Sequence, residues 1–421
     1  MKKKLSPGQR IGDVSVPTSK SHLHRLLICK ALSQSESPSR ICCRGMSGDI
    51  EATIGCLKAL GADISAEDGF ITVGCIKKSN SKQKHLYCGE SGSTLRFLVP
   101  VVGALGENAV FHMEGRLPER PMEPLIDVLS EHGMSFSKEG GLLYCEGKLT
   151  SGLYKIRGDI SSQFISGLLF ALPLLDSDSV IMTDRKPESL SYIEMTEKVL
   201  EQSGIRIKKT ELHDNGSIIF APQKYRSAET VHAEADWSGA AAFLCMGAFS
   251  ESGIRVHGLS VDSIQGDKAI LDILKDFGAE VNIDDEYIKV KKKALKAITV
   301  DASDIPDLVP VISAVAAGAD GETKIINASR LRLKESDRLK TTAAVLTGLG
   351  ADVKETNDGL IIKGKTRLQG GKAQSFGDHR IAMTAAVASL ICEKSVTVID
   401  AECTDKSFPG FWEEFGALEV R

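Results

Sequence analysis

The pentapeptide Leu60-Gly61-Ala62-Asp63-Ile64 decides the fold, because variants of it return along the whole chain. Its pattern is apolar-glycine-any-any-apolar, and it recurs almost unchanged as Leu349-Gly350-Ala351-Asp352-Val353. The glycines are Gly61, Gly133, Gly204, Gly278 and Gly350, spaced by 72, 71, 74 and 72 residues, and Gly416 follows after another 66. Chance recurrence of helix ends would not keep one period five times, so the sequence predicts six copies of one unit.

The residues around each glycine indicate what the unit contains. Helical stretches such as residues 269–277 and 341–349 precede the glycines, which suits a left-handed residue after a helix C-terminus. Strand-like segments follow at residues 70–73, 142–145, 218–220, 287–290 and 360–362. A second helix, apolar nearly all round, opens the units at residues 95–105, 164–175, 240–249, 309–319 and 381–391, each after a short strand.

Six such units predict an α/β protein of two similar domains with three units each. The sixth unit reaches Arg421 without closing strands, which residues 5–17 could supply. We therefore expect the chain to cross twice between domains, near residues 17–20 and 231–236. The predicted division is residues 18–230 in one domain, and residues 1–17 with 231–421 in the other.

The composition excludes several classes of protein. A formal net charge of −4 argues against a nucleic-acid-binding surface. The ten cysteines include no Cys-x-x-Cys pair, which favours reduced thiols and no metal site. The basic start at residues 2–4 is not followed by an apolar run of signal-peptide or membrane-spanning length. We expect a cytoplasmic protein.

The repeat starts carry side chains that suit anions. In Ser19-Lys20-Ser21-His22-Leu23-His24-Arg25, cations and hydroxyls stand at a helix start, where unpaired N–H groups favour phosphate or carboxylate. A solvated helix start with ordinary surface cations remains the alternative for this stretch. Other starts carry Gly92 in a glycine-rich turn, Arg120, Ser161, Ser162, Gln163, Ser189, the dense run 330–339, Arg380 and Lys406. Asp307 precedes an apolar helix and could equally be its cap.

Taken in order, these segments resemble the motif series of the 5-enolpyruvylshikimate-3-phosphate synthase family along the whole chain. The motifs include Val16-Pro17-Thr18-Ser19-Lys20-Ser21, Glu119-Arg120-Pro121, Ser161-Ser162-Gln163-Phe164, Ile305-Pro306-Asp307, Leu333-Lys334-Glu335-Ser336-Asp337-Arg338, Asp378-His379-Arg380-Ile381-Ala382-Met383 and Lys406-Ser407-Phe408-Pro409. The resemblance implies two domains of three βαβαββ units, an inside-out α/β barrel. It also implies transfer of the enolpyruvyl group of phosphoenolpyruvate to the 5-hydroxyl of shikimate 3-phosphate, without metal or organic cofactor.

The same resemblance implies roles for individual residues. Shikimate 3-phosphate would be bound by Lys20, Ser21, Arg25, Ser161, Ser162, Gln163, Ser189, Asp307 and Lys334. Phosphoenolpyruvate would be bound by Lys20, Gly92, Arg120, Gln163, Arg338, Arg380 and Lys406. Addition followed by elimination requires a base and an acid whose roles then reverse. Asp307 is the expected base, and Glu335, Lys20 and, less favoured, His379 are candidates for the acid, in an order the sequence does not fix.

Two departures and two rival functions qualify this assignment. Glu90 stands where family members commonly have asparagine, and Arg330 stands where some members have asparagine. The related transferase acting on UDP-N-acetylglucosamine usually has a cysteine before the arginine-proline pair and an asparagine after the first lysine, and neither is present here. A repeat scaffold without catalysis would not explain why Asp307 and Glu335 occur together with seven cations. These cations are Lys20, Arg25, Arg120, Lys334, Arg338, Arg380 and Lys406. We expect a monomer that binds the two small substrates, with no nucleic-acid or membrane partner.

Overall fold

The computed structural model describes residues 1–35, 37–67, 69–77, 83–184, 187–212, 215–226 and 229–421. The chain forms two compact units, which we call unit 1 (Met1–Ser19 with Glu234–Arg421) and unit 2 (Lys20–Ala233). In the described parts of the chain, none of the helices combines the length and apolar character needed to cross a bilayer.

The helices and strands follow one another in a repeated order. Up to the end of unit 2 they are β1 (Lys2–Leu5), β2 (Arg10–Ser15), α1 (Lys20–Ala31), β3 (Ser39–Cys42), α2 (Gly48–Ala59), β4 (Ala62–Glu67), β5 (Phe70–Ile76), β6 (Lys84–Gly89), α3 (Gly92–Leu105), β7 (Ala109–Met113), α4 (Glu123–Glu131), β8 (Met134–Glu139), β9 (Leu142–Gly147), β10 (Leu153–Ile156), α5 (Ser162–Ala171), β11 (Ser179–Thr183), α6 (Leu190–Gln202), β12 (Lys208–Leu212), β13 (Asn215–Phe220) and β14 (Thr230–His232).

The remaining elements belong to unit 1. They are α7 (Trp237–Gly247), β15 (Ile254–His257), α8 (Ile270–Phe277), β16 (Glu280–Ile283), β17 (Tyr287–Lys291), β18 (Thr299–Asp301), α9 (Val309–Ala316), β19 (Glu322–Ile326), α10 (Arg338–Gly348), β20 (Asp352–Glu355), β21 (Leu360–Lys363), β22 (Gly371–Gln374), α11 (His379–Ser389), β23 (Val396–Ile399), α12 (Phe411–Ala417) and β24 (Glu419–Val420). Short 3₁₀ turns include Gly266–Ala269, Ser329–Leu333 and Ala401–Lys406.

The second repeat shows how each of the six repeats is built. Strand β6 leads through the buried helix α3 to the parallel strand β7, and α4 leads to the hairpin β8–β9, whose second strand pairs antiparallel with β7. The sheet order β6-β7-β9-β8 returns as β10-β11-β13-β12 and β18-β19-β21-β20. The predicted βαβαββ unit is therefore confirmed.

The first and fourth repeats borrow their leading strands. Strand β14 pairs parallel with β3, so the first sheet is led by a segment that follows the third repeat. Strand β2 pairs parallel with β15 and leads the fourth sheet. Each borrowed strand is followed by a buried helix of the other unit, α7 or α1, which requires two crossings of the chain. The crossing segments pair with each other, with Ser19 N–H donating to the Glu234 carbonyl at 2.7 Å.

The closing of the sixth repeat differs from the sequence prediction. The strand that pairs antiparallel with β23 is β1, so the N-terminal segment does close the sixth sheet, but of the expected residues 5–17 only Leu5 takes part and residues 10–15 lie in the fourth sheet. The sixth glycine is also different. Gly61, Gly133, Gly204, Gly278 and Gly350 have φ between 80° and 108°. Gly416 instead lies inside α12, because that helix continues to Ala417 before the chain enters β24.

The helices that open the repeats form the core of each unit. Every residue of α7 and α11 is buried, as the apolar periodicity predicted. In unit 1, helices α7, α9 and α11 pack against one another, and in unit 2 helix α3 packs against α5 and α1. The amphipathic helices and the sheets pack around these central helices, as α10 does against α11 and α2 against α1.

Candidate functional site

Each buried helix of unit 1 begins near an aspartate, and these three aspartates are spaced by 71 residues at Asp236, Asp307 and Asp378. Asp236 Oδ1 accepts from the backbone N–H groups of Ser238 and Gly239 at 2.9 and 3.2 Å, as a helix cap does. Asp378 Oδ1 accepts from the Arg380 N–H at 3.0 Å. Two of the three carboxylates therefore have a capping role.

Asp307 makes a different set of bonds. Helix α9 begins at Val309, and the Asp307 carboxylate accepts from Arg338 Nη1 at 2.5 Å and lies 3.5 Å from Lys334 Nζ. Burial alone would raise the pKa of this carboxyl, but Lys334, Arg338 and Arg380 together hold the pKa well below its ordinary value. Asp307 is therefore an ionised carboxylate among cations, which the capping alternative does not explain.

Arg338 connects three carboxylates. Its guanidinium binds Asp307, Glu335 Oε2 at 2.8 Å and both oxygens of Asp378, at 2.8 and 3.2 Å. Burial would lower the pKa of Arg338, which is 1% exposed, yet Asp378, Glu335 and Asp307 raise that pKa well above its usual value. Two of the expected ligands of phosphoenolpyruvate and shikimate 3-phosphate, Arg338 and Asp307, thus belong to one fixed ionic cluster.

The remaining expected residues of unit 1 surround this cluster. Arg380, buried in the first turn of α11, donates from Nη1 to the Ser238 carbonyl at 2.5 Å. Lys406 donates to the Gly377 carbonyl at 3.2 Å, immediately before the same helix. His379 is 2% exposed, and its Nδ1 is 3.8 Å from Asp378 Oδ1, beyond hydrogen-bond distance. Glu335 keeps 19% of its side chain exposed, so it is the more accessible of these two candidate acids.

In unit 2 the corresponding helix starts carry serines. Ser91 Oγ accepts from the Thr94 N–H and Ser161 Oγ from the Gln163 N–H, both at 3.3 Å. A hydroxyl cap brings no negative charge, whereas the aspartate caps of unit 1 do. The partial positive charge of α3 and α5 is therefore not offset by the cap, which favours an anion there. Ser162 is the first residue of α5.

Lys20 begins α1 and forms an ion pair with Asp49. The Lys20 Nζ to Asp49 Oδ2 distance is 2.7 Å, and both side chains are mostly shielded from solvent. Asp49 lies in the first turn of α2, and its carbonyl accepts from Thr94 Oγ1 at 3.4 Å, which connects the starts of α1 and α3. Asp49 was not predicted from the sequence, because a carboxylate in a first helical turn is also what the helix dipole alone would favour.

Arg25 lies deeper than a surface cation. Its guanidinium donates to Thr196 Oγ1 at 2.8 Å and to the carbonyls of Ser21 and Tyr192 at 2.6 and 3.0 Å. Burial lowers the pKa of Arg25 to about 10. Ser189, which precedes α6, is buried with a left-handed backbone (φ 53°). Arg25 therefore fixes the first turn of the helix that Ser189 opens.

Gly92 and Arg120 are in direct contact. A Cβ atom added to Gly92 would lie 2.9 Å from Arg120 Nη1, so a larger residue here would force the guanidinium to shift away from the start of α3. Next to them, Arg96 Nη1 donates to Gln163 Oε1 at 2.7 Å, and Gln163 Nε2 donates to Ser93 Oγ at 2.9 Å. Ser93 and Arg96 follow Gly92 closely in the sequence but were not predicted as site residues.

The two departures from the family pattern have structural counterparts. The Glu90 side chain packs against Gly115, where an added Cβ would lie 2.5 Å from Glu90 Cδ. Gly115 itself has a left-handed backbone, with φ 53°. Arg330 donates from Nη2 to the Ser303 carbonyl. Each substituted side chain therefore has an intramolecular neighbour of its own.

Two units of βαβαββ repeats, with cations and hydroxyls at the starts of their buried helices, are the architecture of an enolpyruvyl transferase. The family model of EPSP synthase (3-phosphoshikimate 1-carboxyvinyltransferase) matches residues 6–415. The chain therefore belongs to the EPSP synthase family, as the motif series predicted.

Individual relatives agree with this assignment. The 3-phosphoshikimate 1-carboxyvinyltransferase of Clostridium kluyveri is 43% identical over 420 residues, covering 98% of this chain and 96% of the relative. The enzyme of Clostridium acetobutylicum is 42% identical over 421 residues, covering 99% and 96%. A solved structure of EPSP synthase from Acinetobacter baumannii has a TM-score of 0.81 at 25% identity and covers 100% of this chain and 99% of that one. The predicted fold class is confirmed.

Proposed function

We propose that this chain transfers the enolpyruvyl group of phosphoenolpyruvate to the 5-hydroxyl of shikimate 3-phosphate and releases phosphate. The reaction belongs to the shikimate pathway, which leads to chorismate and the aromatic amino acids. The family match over residues 6–415 carries this proposal. The ionised Asp307 among three cations supplies the chemical group that the reaction needs.

The charge of the substrates explains the residue types. A phosphate monoester and a carboxylate on each substrate bring about five to six negative charges at neutral pH. Charge-assisted hydrogen bonds from arginine and lysine offset such charges better than neutral donors do. We assign phosphoenolpyruvate to Lys20, Gly92, Arg120, Gln163, Arg338, Arg380 and Lys406. We assign shikimate 3-phosphate to Lys20, Ser21, Arg25, Ser161, Ser162, Gln163, Ser189, Asp307 and Lys334.

Asp307 is the proposed base, and substrate binding makes it a stronger one. In the free chain Lys334, Arg338 and Arg380 hold the pKa of Asp307 low, which makes the carboxylate a poor proton acceptor. Anionic substrates that bind these cations offset part of their charge. The pKa of Asp307 then rises toward the range in which the carboxylate can accept the 5-hydroxyl proton.

The proton needed by the methylene carbon has two preferred donors. In the addition step the 5-oxygen bonds to the central carbon of phosphoenolpyruvate while the methylene carbon gains a proton and becomes a methyl group. In the elimination step the carbon–oxygen bond to phosphate breaks, and the methyl group returns a proton to the residue that donated it. We propose Glu335 or Lys20 for the donor. Glu335 lies beside Arg338, and Lys20 beside Asp49, so each has a fixed orientation.

Phosphate release tests the proposed function. The purified chain is incubated with phosphoenolpyruvate and either shikimate 3-phosphate or UDP-N-acetylglucosamine, and the organic product is identified by mass spectrometry. We expect phosphate release only with shikimate 3-phosphate. Release only with the nucleotide sugar, or with neither acceptor, would contradict the proposal. We further propose that the chain is a monomer and that it is cytoplasmic. Sedimentation of the purified chain tests the monomeric state.

A further inference from the structure

A buried carboxyl group outside the assigned residues lies behind the start of α7. Asp267 belongs to the 3₁₀ turn Gly266–Ala269 and is 1% exposed. Its Oδ2 accepts a hydrogen bond from Ser238 Oγ, and Oδ1 has no hydrogen-bond partner within the described part of the chain. A carboxyl oxygen that is buried without a partner is costly when it is charged. The charge of this group therefore depends on its neighbours.

Ser238 connects this carboxyl to the expected phosphoenolpyruvate ligand Arg380. The Ser238 hydroxyl donates to Asp267, and the Ser238 carbonyl accepts from Arg380 Nη1 at 2.5 Å. The backbone N–H of the same residue donates to the cap Asp236. Because all three polar groups of Ser238 are bonded, a change at Asp267 acts on a rigid connection to the arginine.

We propose that Asp267 is a positioning residue whose gain or loss of a proton sets how strongly Arg380 binds the anionic substrate. The proposal rests on the proposed function, since it concerns the arginine assigned to phosphoenolpyruvate. Asp267 takes no part in bond making, because it acts through Ser238 and through its charge.

The charged groups around Asp267 lie at the starts of the three buried helices of unit 1, α7, α9 and α11. The pKa of Asp267 is raised to about 7, chiefly by burial and then by Asp307 and Asp236, against the lowering effect of the Ser238 hydrogen bond and of Arg380. In the same surroundings the pKa of Asp307 is lowered. Two neighbouring carboxyls with opposite shifts are the arrangement that lets one carry a proton while the other stays ionised.

The sign of the effect follows from the charges. Below pH 7 Asp267 is neutral, and Arg380 can direct its full charge at a bound anion. Above pH 7 the Asp267 carboxylate offsets part of that charge, so the anion binds less tightly. By linkage, a bound anion raises the pKa of Asp267, and the chain takes up a proton when phosphoenolpyruvate binds near neutral pH.

The substitution Asp267→Asn tests this, because asparagine has the shape of the neutral acid and cannot ionise. The Michaelis constant for phosphoenolpyruvate is measured from pH 6 to pH 9 at saturating shikimate 3-phosphate. The ionisation of the substrate is common to both proteins and cancels in their ratio. We expect the ratio of the wild-type to the variant constant to rise by about fivefold across this range, which corresponds to a pKa shift of about 0.7 on binding.

Two further variants keep the test decisive. Asp262→Asn removes an exposed carboxylate from the same loop and should leave the wild-type pH profile unchanged. Ser238→Ala keeps the carbonyl bonded to Arg380 but removes the hydroxyl that lowers the pKa of Asp267, so the midpoint of the profile should move to higher pH. If Asp267→Asn does not fold, the midpoint of the Ser238→Ala profile alone decides whether Asp267 has the proposed role.

The outcomes separate the two proposals. Wild-type turnover with identical pH profiles for wild type and Asp267→Asn, or an unmoved midpoint in Ser238→Ala, overturns the role of Asp267 alone. Absence of wild-type turnover overturns the proposed function and this inference with it. A profile that flattens in Asp267→Asn and moves in Ser238→Ala supports it.

Discussion

The Arg338 guanidinium donates two hydrogen bonds to the Asp378 carboxylate, from Nε to Oδ2 at 2.8 Å and from Nη2 to Oδ1 at 3.2 Å. Both side chains are almost fully excluded from solvent. Asp378 also caps α11, so one carboxylate fixes both a helix start and an arginine assigned to phosphoenolpyruvate. The position of Arg338 is therefore set by the fold before any substrate arrives.

Loss of this contact should destabilise the chain. We expect Asp378→Ala to lower the free energy of unfolding by about 3–5 kcal/mol, because it removes the buried carboxylate that Arg338 bonds at two points and also the cap of α11. Urea unfolding of wild type and variant measures the difference. The exposed Asp352 provides a control, since Asp352→Ala should change stability by less than about 0.5 kcal/mol. Equal stability of the two variants would contradict the account.

A methyl group at Gly92 should weaken phosphoenolpyruvate binding. In Gly92→Ala the Cβ would press on Arg120 Nη1 at 2.9 Å and displace the guanidinium. We expect the Michaelis constant for phosphoenolpyruvate to rise about tenfold, because a hydrogen bond to a charged group contributes about 1.5–3 kcal/mol. Gly48→Ala is the matched control, since Gly48 also begins a helix and an added Cβ atom would meet nothing within 4 Å. An unchanged constant in Gly92→Ala would show that Arg120 is not needed there.

Thiol accessibility tests the burial of the repeats. All ten cysteines carry free thiols, and only Cys42, Cys43 and Cys75 are even partly exposed. Burial raises the pKa of Cys29 to about 12, which also suppresses its reactive thiolate. Titration of the native chain with a disulfide reagent should modify at most these three thiols, and the unfolded chain all ten. Rapid modification of more than three in the native chain would contradict the fold.

The sequence predicted the repeat because its signals are local. A glycine that must adopt a left-handed conformation after a helix, as Gly278 does with φ 99°, is visible in the sequence wherever the period places it. The apolar helices were equally visible, since burial on all sides leaves no polar face. These two local signals were enough to give the fold class.

The borrowed strands could not be predicted in register, because their pairing is not local. Asp13 on β2 bonds Arg255 on β15 at 2.6 Å, across 242 residues, and no local pattern indicates which of several short strands will pair. The segment Lys2–Leu5 was overlooked for the sixth sheet because three lysines hide its strand character. Asp49 and Arg96 were missed for a related reason, since their partners lie on other helices. The domain boundaries and the roles of the site residues stay predictions.

The central claim is that Asp307 accepts the proton of the attacking hydroxyl. Its most direct test is the single-turnover rate of enolpyruvyl transfer by Asp307→Asn at saturating substrates. The matched control is Asp304→Asn, which removes an exposed carboxylate three residues earlier. We expect Asp304→Asn to keep the wild-type rate and Asp307→Asn to lose about 10²–10⁴-fold while still binding shikimate 3-phosphate. A wild-type rate in folded Asp307→Asn would contradict the claim.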